Sequence, residues 1–118
     1  SWVNQQTEKS WGHYKVLYRD DNVKVKEIVI RPGETLSYQR HNLRSEIWFV
    51  TKGVLANNTE HPADRRLLKT ETFNKHEFTN ITVGTWHQLN NPSNEDVKLI
   101  EIQYGDKCTE EDIEHKNE

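Results

Sequence analysis

Val23-Lys24-Val25-Lys26-Glu27-Ile28-Val29-Ile30 alternates apolar and charged residues at its start and ends in a β-branched run. That pattern is a strand, not a helix. Arg31-Pro32-Gly33-Glu34 stops it, because proline presets φ and glycine accepts a positive φ. A second extended segment is predicted over 35–40. Next comes Glu46-Ile47-Trp48-Phe49-Val50, closed by Thr51-Lys52-Gly53, an apolar run that reads as a strand buried on both faces. Three strands so close together leave no room for parallel crossovers, so the sheet must be antiparallel.

Downstream, residues 78–83 form a short predicted strand that leads into Gly84. Thr85-Trp86-His87-Gln88-Leu89 follows, and Asn90-Asn91-Pro92-Ser93-Asn94 makes a turn. The last strand covers 97–104, with Leu99, Glu101 and Gln103 on one face and Ile100 and Ile102 on the other. Hydropathy assigns the isoleucine face to the core. Between Val54 and Asn80 the pattern weakens, and Asn57-Asn58-Thr59-Glu60-His61-Pro62 reads as a loop. In the tail, Thr109 is a candidate N-cap for a short helix with Glu110, Glu111 and Asp112 in its first turn. The same acidity reads as solvated surface. Short strands divided by Gly, Pro and Asn turns predict a single antiparallel barrel or sandwich of the jelly-roll kind.

The bulk numbers agree with a thin, half-solvated β structure. The chain has 118 residues, about the commonest domain size, of which only 32% are hydrophobic; the mean hydropathy is −1.02. A net charge of −3 and a pI near 6.1 give no electrostatic footprint for nucleic acid or anionic lipid. No apolar stretch has the length of a membrane span or a signal region. One cysteine, Cys108, cannot staple the fold, and the expected compartment is the reducing cytoplasm. The sequons Asn57-Asn58-Thr59 and Asn80-Ile81-Thr82 are read as chance matches. The start at Ser1 and the absence of Met suggest processing, or excision from something longer.

Gln39 and His41 are two apart on an extended segment, so both project to one face, and a hairpin turn after them would bring Glu46 alongside. Imidazole nitrogens with carboxylate or amide oxygens suit Zn²⁺, Mn²⁺, Fe²⁺ or Ni²⁺. His87, after the Gly84 turn, is the candidate fourth donor. Each has a plainer reading when taken singly: Gln39 and His41 as polar surface, His87 as a packed histidine, Glu46 as an exposed strand start.

Taken together, residues 32–53, which contain Gln39-Arg40-His41 and Glu46, resemble the first cupin motif, and Gly84-Thr85-Trp86-His87-Gln88-Leu89-Asn90-Asn91-Pro92 resembles the second. More narrowly, Trp11-Gly12-His13-Tyr14, Arg44-Ser45-Glu46-Ile47-Trp48, Trp86-His87 and Leu99-Ile100-Glu101-Ile102-Gln103-Tyr104-Gly105 resemble the cupin domain of type II phosphomannose isomerases. In that family this domain is commonly the C-terminal part of a bifunctional isomerase and mannose-1-phosphate guanylyltransferase. The resemblance runs from about Trp11 to Ile113 and makes 1–118 one cupin domain. Three departures stand out. Leu43 occupies the place of the second histidine of a His-x-His pair, the proline before Gly84 is missing, and Lys9-Ser10 replaces Arg-Pro ahead of Trp11.

The resemblance implies one divalent metal, zinc first, held by Gln39, His41, Glu46 and His87. It also implies interconversion of mannose 6-phosphate and fructose 6-phosphate. Glu101 is the expected base and Lys26 an acid or phosphate contact, with Arg44, Trp48 and Gln103 as substrate-binding residues. A small-molecule sugar phosphate is the expected partner, and a homodimer, aided by aromatics such as Trp2 and Trp11, the expected assembly. Two alternatives stand beside it. One is a non-haem Fe(II) oxygenase built on His41, Glu46 and His87; the other is a non-catalytic sugar- or metal-binding cupin whose site has decayed at Leu43.

Overall fold

The computed structural model describes residues 4–116; Trp2 therefore lies outside the described residues. The strands are β1 (Gln6–Lys9), β2 (Gly12–Arg19), β3 (Val23–Ile30), β4 (Gln39–Arg40), β5 (Arg44–Lys52) and β6 (Leu55–His61). They continue with β7 (Asp64–Phe73), β8 (Phe78–Ile81), β9 (His87–Asn90), β10 (Val97–Gly105) and β11 (Glu114–His115). Every pairing is antiparallel. One sheet runs β1-β2-β3-β10-β5-β8 and the other β11-β4-β9-β6-β7. Ile28, Ile30, Trp48, Val50, Ile81, Val97 and Leu99 from the first sheet meet Leu55 and Leu89 from the second in one core. The predicted antiparallel barrel is the observed fold.

Several local expectations are corrected. Strand β5 is not buried on both faces: Arg44, Glu46, Trp48 and Val50 point inward while Phe49 is exposed. The stretch read as a loop over 57–62 is mostly strand, since β6 and β7 form a hairpin paired from Leu55↔Phe73 to His61↔Asp64. Its polar composition hid the strands because β7 is largely exposed. Segment 35–40 is only partly strand, held by a Thr35↔Asn90 bridge before β4. No hairpin joins Gln39 to Glu46. Strand β4 pairs with β9 and β11, β5 pairs with β10 and β8, and the chain crosses between sheets through His41. Among the described residues the tail forms no helix; it turns at 109–112 and then pairs as β11 against β4.

The most instructive correction concerns β10. Its buried face is Val97, Leu99, Glu101 and Gln103, while Ile100 and Ile102 are half-buried on the outer side. The register across the central three strands shows why. Gln103 lies between Lys24 and Glu46, Glu101 between Lys26 and Trp48, and Leu99 between Ile28 and Val50. The barrel interior is thus divided along its length into a polar end and an apolar end. Hydropathy alone sends the wrong face of β10 inward because half of the true inner face is polar.

Leu99→Ala should cost about 2–5 kcal/mol by leaving a cavity, and Ile102→Ala only about 1 kcal/mol. Urea unfolding of the two variants checks this, and the opposite ranking would put the isoleucines inside.

Candidate metal centre

The polar end of the barrel opens into a cavity of about 380 Å³, within the size range of small-molecule sites. Elements from both sheets carry donors into it. His41 sits on the crossing between β4 and β5, Glu46 on β5 and His87 at the start of β9, opposite Gln39 of β4. The Gly84 N–H donates to the His41 carbonyl at 2.8 Å, which ties the turn before His87 to the crossing that carries His41. Gly84 has φ +80° there, a left-handed conformation that glycine takes without strain.

His41, Glu46 and His87 each direct one ligand atom into a group whose members lie within 4.8 Å of one another, and all three residues are buried. His41 Nε2 is 3.4 Å from Glu46 Oε2, and His87 Nε2 is 3.7 Å from Glu46 Oε1. Bonds of about 2.1 Å to a tetrahedral ion place neighbouring donors about 3.4 Å apart, close to the spacing of each imidazole from Glu46. The ring tautomers fit too. His41 Nδ1 meets the Asp112 carbonyl at 2.6 Å and His87 Nδ1 meets the Thr85 carbonyl at 3.0 Å. A carbonyl can only accept, so each Nδ1 carries the hydrogen and each Nε2 turns a lone pair toward the cluster. His87 Nε2 is buried and has no hydrogen-bond partner. Burial and neighbouring positive charge lower the pKa of His41, and burial brings that of His87 down to about 4, so both rings are neutral at pH 7.

Arg44 stands beside the cluster. Its Nη2 is 3.0 Å from Glu46 Oε2 and 3.2 Å from His41 Nε2, while Nη1 donates to the Thr109 carbonyl at 3.1 Å. The guanidinium supplies positive charge at the atoms a metal would share, so it competes with an incoming cation. Gln39 lines the same cavity, with its Oε1 accepting from Ser37 Oγ at 3.2 Å. Leu43 is 40% exposed and its neighbour Asn42 is exposed as well, while His41 and Arg44 beyond them are buried. A histidine at that position would face solvent, so the departure at Leu43 does not open the ligand set.

Glu101 completes the polar layer. Gln103 Nε2 donates to its Oε1 at 2.6 Å, and the Trp48 indole N–H donates to its Oε2 at 3.3 Å. Burial first, and the Glu46 charge second, raise the pKa of Glu101; burial likewise raises that of Glu46 against the pull of Arg44. Lys26 is buried in the cavity wall with Nζ 4.3 Å from the Tyr14 ring centre. Arg44 and Gln103 line the cavity as well. Trp48 does not; it is 1% exposed, packed edge-on against His87, and supports the donors from beneath. The sequence reading missed two groups here. Lys24 was within reach, since it shares the period-two face of Lys26. Glu110 carried no local signal, because only the tail's return to the barrel mouth places it in the cavity.

A family model described as mannose-6-phosphate isomerase C-terminal matches residues 2–118. Among curated proteins, the chain is 36% identical over 110 residues to the xanthan biosynthesis protein XanB of Xanthomonas campestris, covering 93% of this chain and 22% of that one. It is 34% identical over 108 residues to a mannose-1-phosphate guanylyltransferase of Salmonella muenchen, covering 89% and 21%. The chain thus spans about a fifth of the length of the curated relatives it matches. The capsular polysaccharide assembling protein CapF of Staphylococcus aureus superposes with a TM-score of 0.83 at 19% identity, over 100% of this chain and 34% of that one, a likeness of fold. Among the described residues no helix is long and apolar enough to cross a membrane. A cupin barrel with paired motifs, matched along its length, settles the affiliation: the chain belongs to the mannose-6-phosphate isomerase C-terminal family.

Proposed function

We propose that this barrel is a metal-dependent aldose–ketose isomerase domain that interconverts mannose 6-phosphate and fructose 6-phosphate. One observation carries the reading: a two-imidazole, one-carboxylate donor cluster shares its cavity wall with a second buried carboxyl, Glu101. The reaction removes a proton from the carbon next to a carbonyl and returns it to the neighbouring carbon, with an enediolate between. It therefore needs a positioned base and stabilisation of oxyanion charge.

His41, Glu46 and His87 hold the ion in this reading, zinc first, with Gln39 as a fourth donor from the same wall. When bound, a divalent ion supplies Lewis acidity toward the sugar oxygens and favours the ionised forms of the carboxyls beside it. Glu101 is the proton carrier. Its raised pKa brings it nearer the range where a carboxylate both takes and returns a proton, and Gln103 and Trp48 fix its two oxygens. Arg44 and Gln103 face the sugar, and Trp48 is a positioning residue that holds Glu101. The decayed-site alternative loses its sequence support, since Leu43 is exposed. A second reading has one specific observation behind it, because two imidazoles and one carboxylate are also the facial triad of non-haem Fe(II) oxygenases. Fe(II)-dependent oxygen consumption without sugar-phosphate turnover would select it.

Elemental analysis of protein purified without added metal should find a divalent ion, zinc foremost, that His87→Ala loses. Unchanged metal content in that variant would dismiss the proposed ligand set. In a mannose 6-phosphate assay of the metal-loaded protein, Glu101→Gln should lower kcat by about 100-fold or more while its metal content stays that of the parent. A kcat within a few-fold of the parent would rule Glu101 out as the base.

The metal-free protein should also lose stability on acidification. His87 is buried as the neutral ring, so its contribution is present above the ordinary value of 6.5 and lost as pH falls through about 4. Thermal unfolding between pH 7 and 4 should show a shallower decline in His87→Gln than in the parent, and parallel curves would count against this assignment.

A further inference from the structure

A second polar device, apart from the donor cluster, reaches the cavity wall through Lys26 and Glu110. Lys24 and Lys26, on the inner face of β3, have side chains only 7% and 8% exposed, and both reach a single oxygen of Glu110, at 3.1 Å and 2.6 Å. Two buried ammonium groups are costly unless paired. Glu110 pairs them incompletely, with one negative charge for two positive charges and one oxygen for both donors. Each ammonium has three N–H groups, so donors remain to spare. Burial opposes ionisation of Glu110, yet Lys26 and then Lys24 hold its carboxyl down to about 2.

The tail that delivers Glu110 is anchored elsewhere. Asp112 accepts from the backbone N–H groups of Asn42 and Leu43 at 3.0 and 2.8 Å, and Glu114 pairs with Arg40 at 2.8 Å. The Glu110 side chain itself is 55% exposed. Rotation about its own bonds would carry the carboxylate into solvent while the tail stays in place. The emptied position would offer the ammonium of Lys26, which lines the same cavity as His41, Glu46 and His87, together with that of Lys24, which reaches the same Glu110 oxygen.

We propose that Lys24 and Lys26 form an oxyanion subsite for the phosphate of a ligand entering this cavity, and that Glu110 occupies it as an internal stand-in. A phosphate brings nearly two negative charges and several oxygens, so each lysine gains its own acceptor where Glu110 gives them one to share. Charge along the wall agrees. Lys9, Lys26 and Arg44 are matched by Glu46, Glu101 and Glu110, so a bound divalent ion leaves an excess of positive charge that a phosphate dianion offsets. Apparent affinity is reduced by the fraction of time in which Glu110 fills the subsite. The identity of the ligand as a sugar phosphate rests on the isomerase reading; the subsite itself does not.

Calorimetric titration of the full chain, as purified, with inorganic phosphate tests this. Glu110→Gln should tighten phosphate binding by about tenfold or more, whereas Glu111→Gln, which changes net charge equally, should shift it less than about twofold. Lys24→Gln and Lys26→Gln should each weaken binding by about tenfold. Equal behaviour of Glu110→Gln and Glu111→Gln would overturn the proposal even if a lysine variant fails to fold. Phosphate binding in this pattern without mannose 6-phosphate turnover would dismiss the isomerase and keep the subsite. Turnover whose KM is unmoved by Lys24→Gln would dismiss the subsite and keep the reaction. Within a confirmed subsite, mannose 6-phosphate binding more tightly than inorganic phosphate assigns it to a sugar phosphate, and equal affinities assign it to the free ion.

Discussion

Everything in this structure depends on the register that locks β3, β10 and β5 together. It sets Lys24, Gln103 and Glu46 in one row across the inner face, Lys26, Glu101 and Trp48 in the next, and Ile28, Leu99 and Val50 in the third. The first two rows supply Gln103, Glu46, Lys26 and Glu101 to the cavity wall; Trp48 and the third row belong to the core. Side chains alternate strictly along a strand, so a slip of one residue on β10 would turn Ile100 and Ile102 inward and send Glu101 and Gln103 to the outside. Such a barrel would be more apolar inside and would lose Glu101 and Gln103 from its cavity wall.

The arrangement is costly for a small domain. Lys24, Lys26, Arg44, Glu46, Glu101 and Gln103 are all buried, and buried charge is tolerated only with partners. Each charged one has a partner: Lys24 and Lys26 meet at Glu110, Arg44 holds Glu46, and Glu101 is held by Gln103 and Trp48. Two buried polar atoms in this region stay unpartnered, His87 Nε2 and Gln103 Oε1. An orphaned acceptor facing a polar cavity is expensive for stability and useful for a ligand. Stability is left to the apolar end, where Ile30, Val50, Leu55, Val97 and Leu99 are fully buried.

Much of this was legible in the residues, and the failures have physical causes. The alternation at β3, the Pro32-Gly33 turn and the run at β5 were enough for an antiparallel barrel. His41, Glu46 and His87 were legible as a set through the two motifs and do converge. The inner face of β10 was misread because hydropathy assumes an apolar interior, and here Glu101 and Gln103 displace Ile100 and Ile102. The β6–β7 hairpin was missed because an exposed hairpin carries polar residues on most positions. Leu43 looked like damage to the metal set, although only its exposure in three dimensions shows that position 43 lies off the site. Glu110 could not be found at all, since its partners lie more than eighty residues earlier in the chain.

The tail between β10 and β11 touches three parts of the polar end of the barrel. Its Thr109 carbonyl takes a hydrogen from Arg44, its Glu110 rests on two lysines, and its Asp112 carbonyl fixes the tautomer of His41. It behaves as a hinge pin shared by three doors. Any tension on residues 109–115, from a neighbouring polypeptide or a bound surface, would be felt at once as a change in the basicity of His41, in the reach of Arg44 and in the charge at the mouth. The barrel's walls would stay put while the polar groups at its mouth were rearranged from the outside.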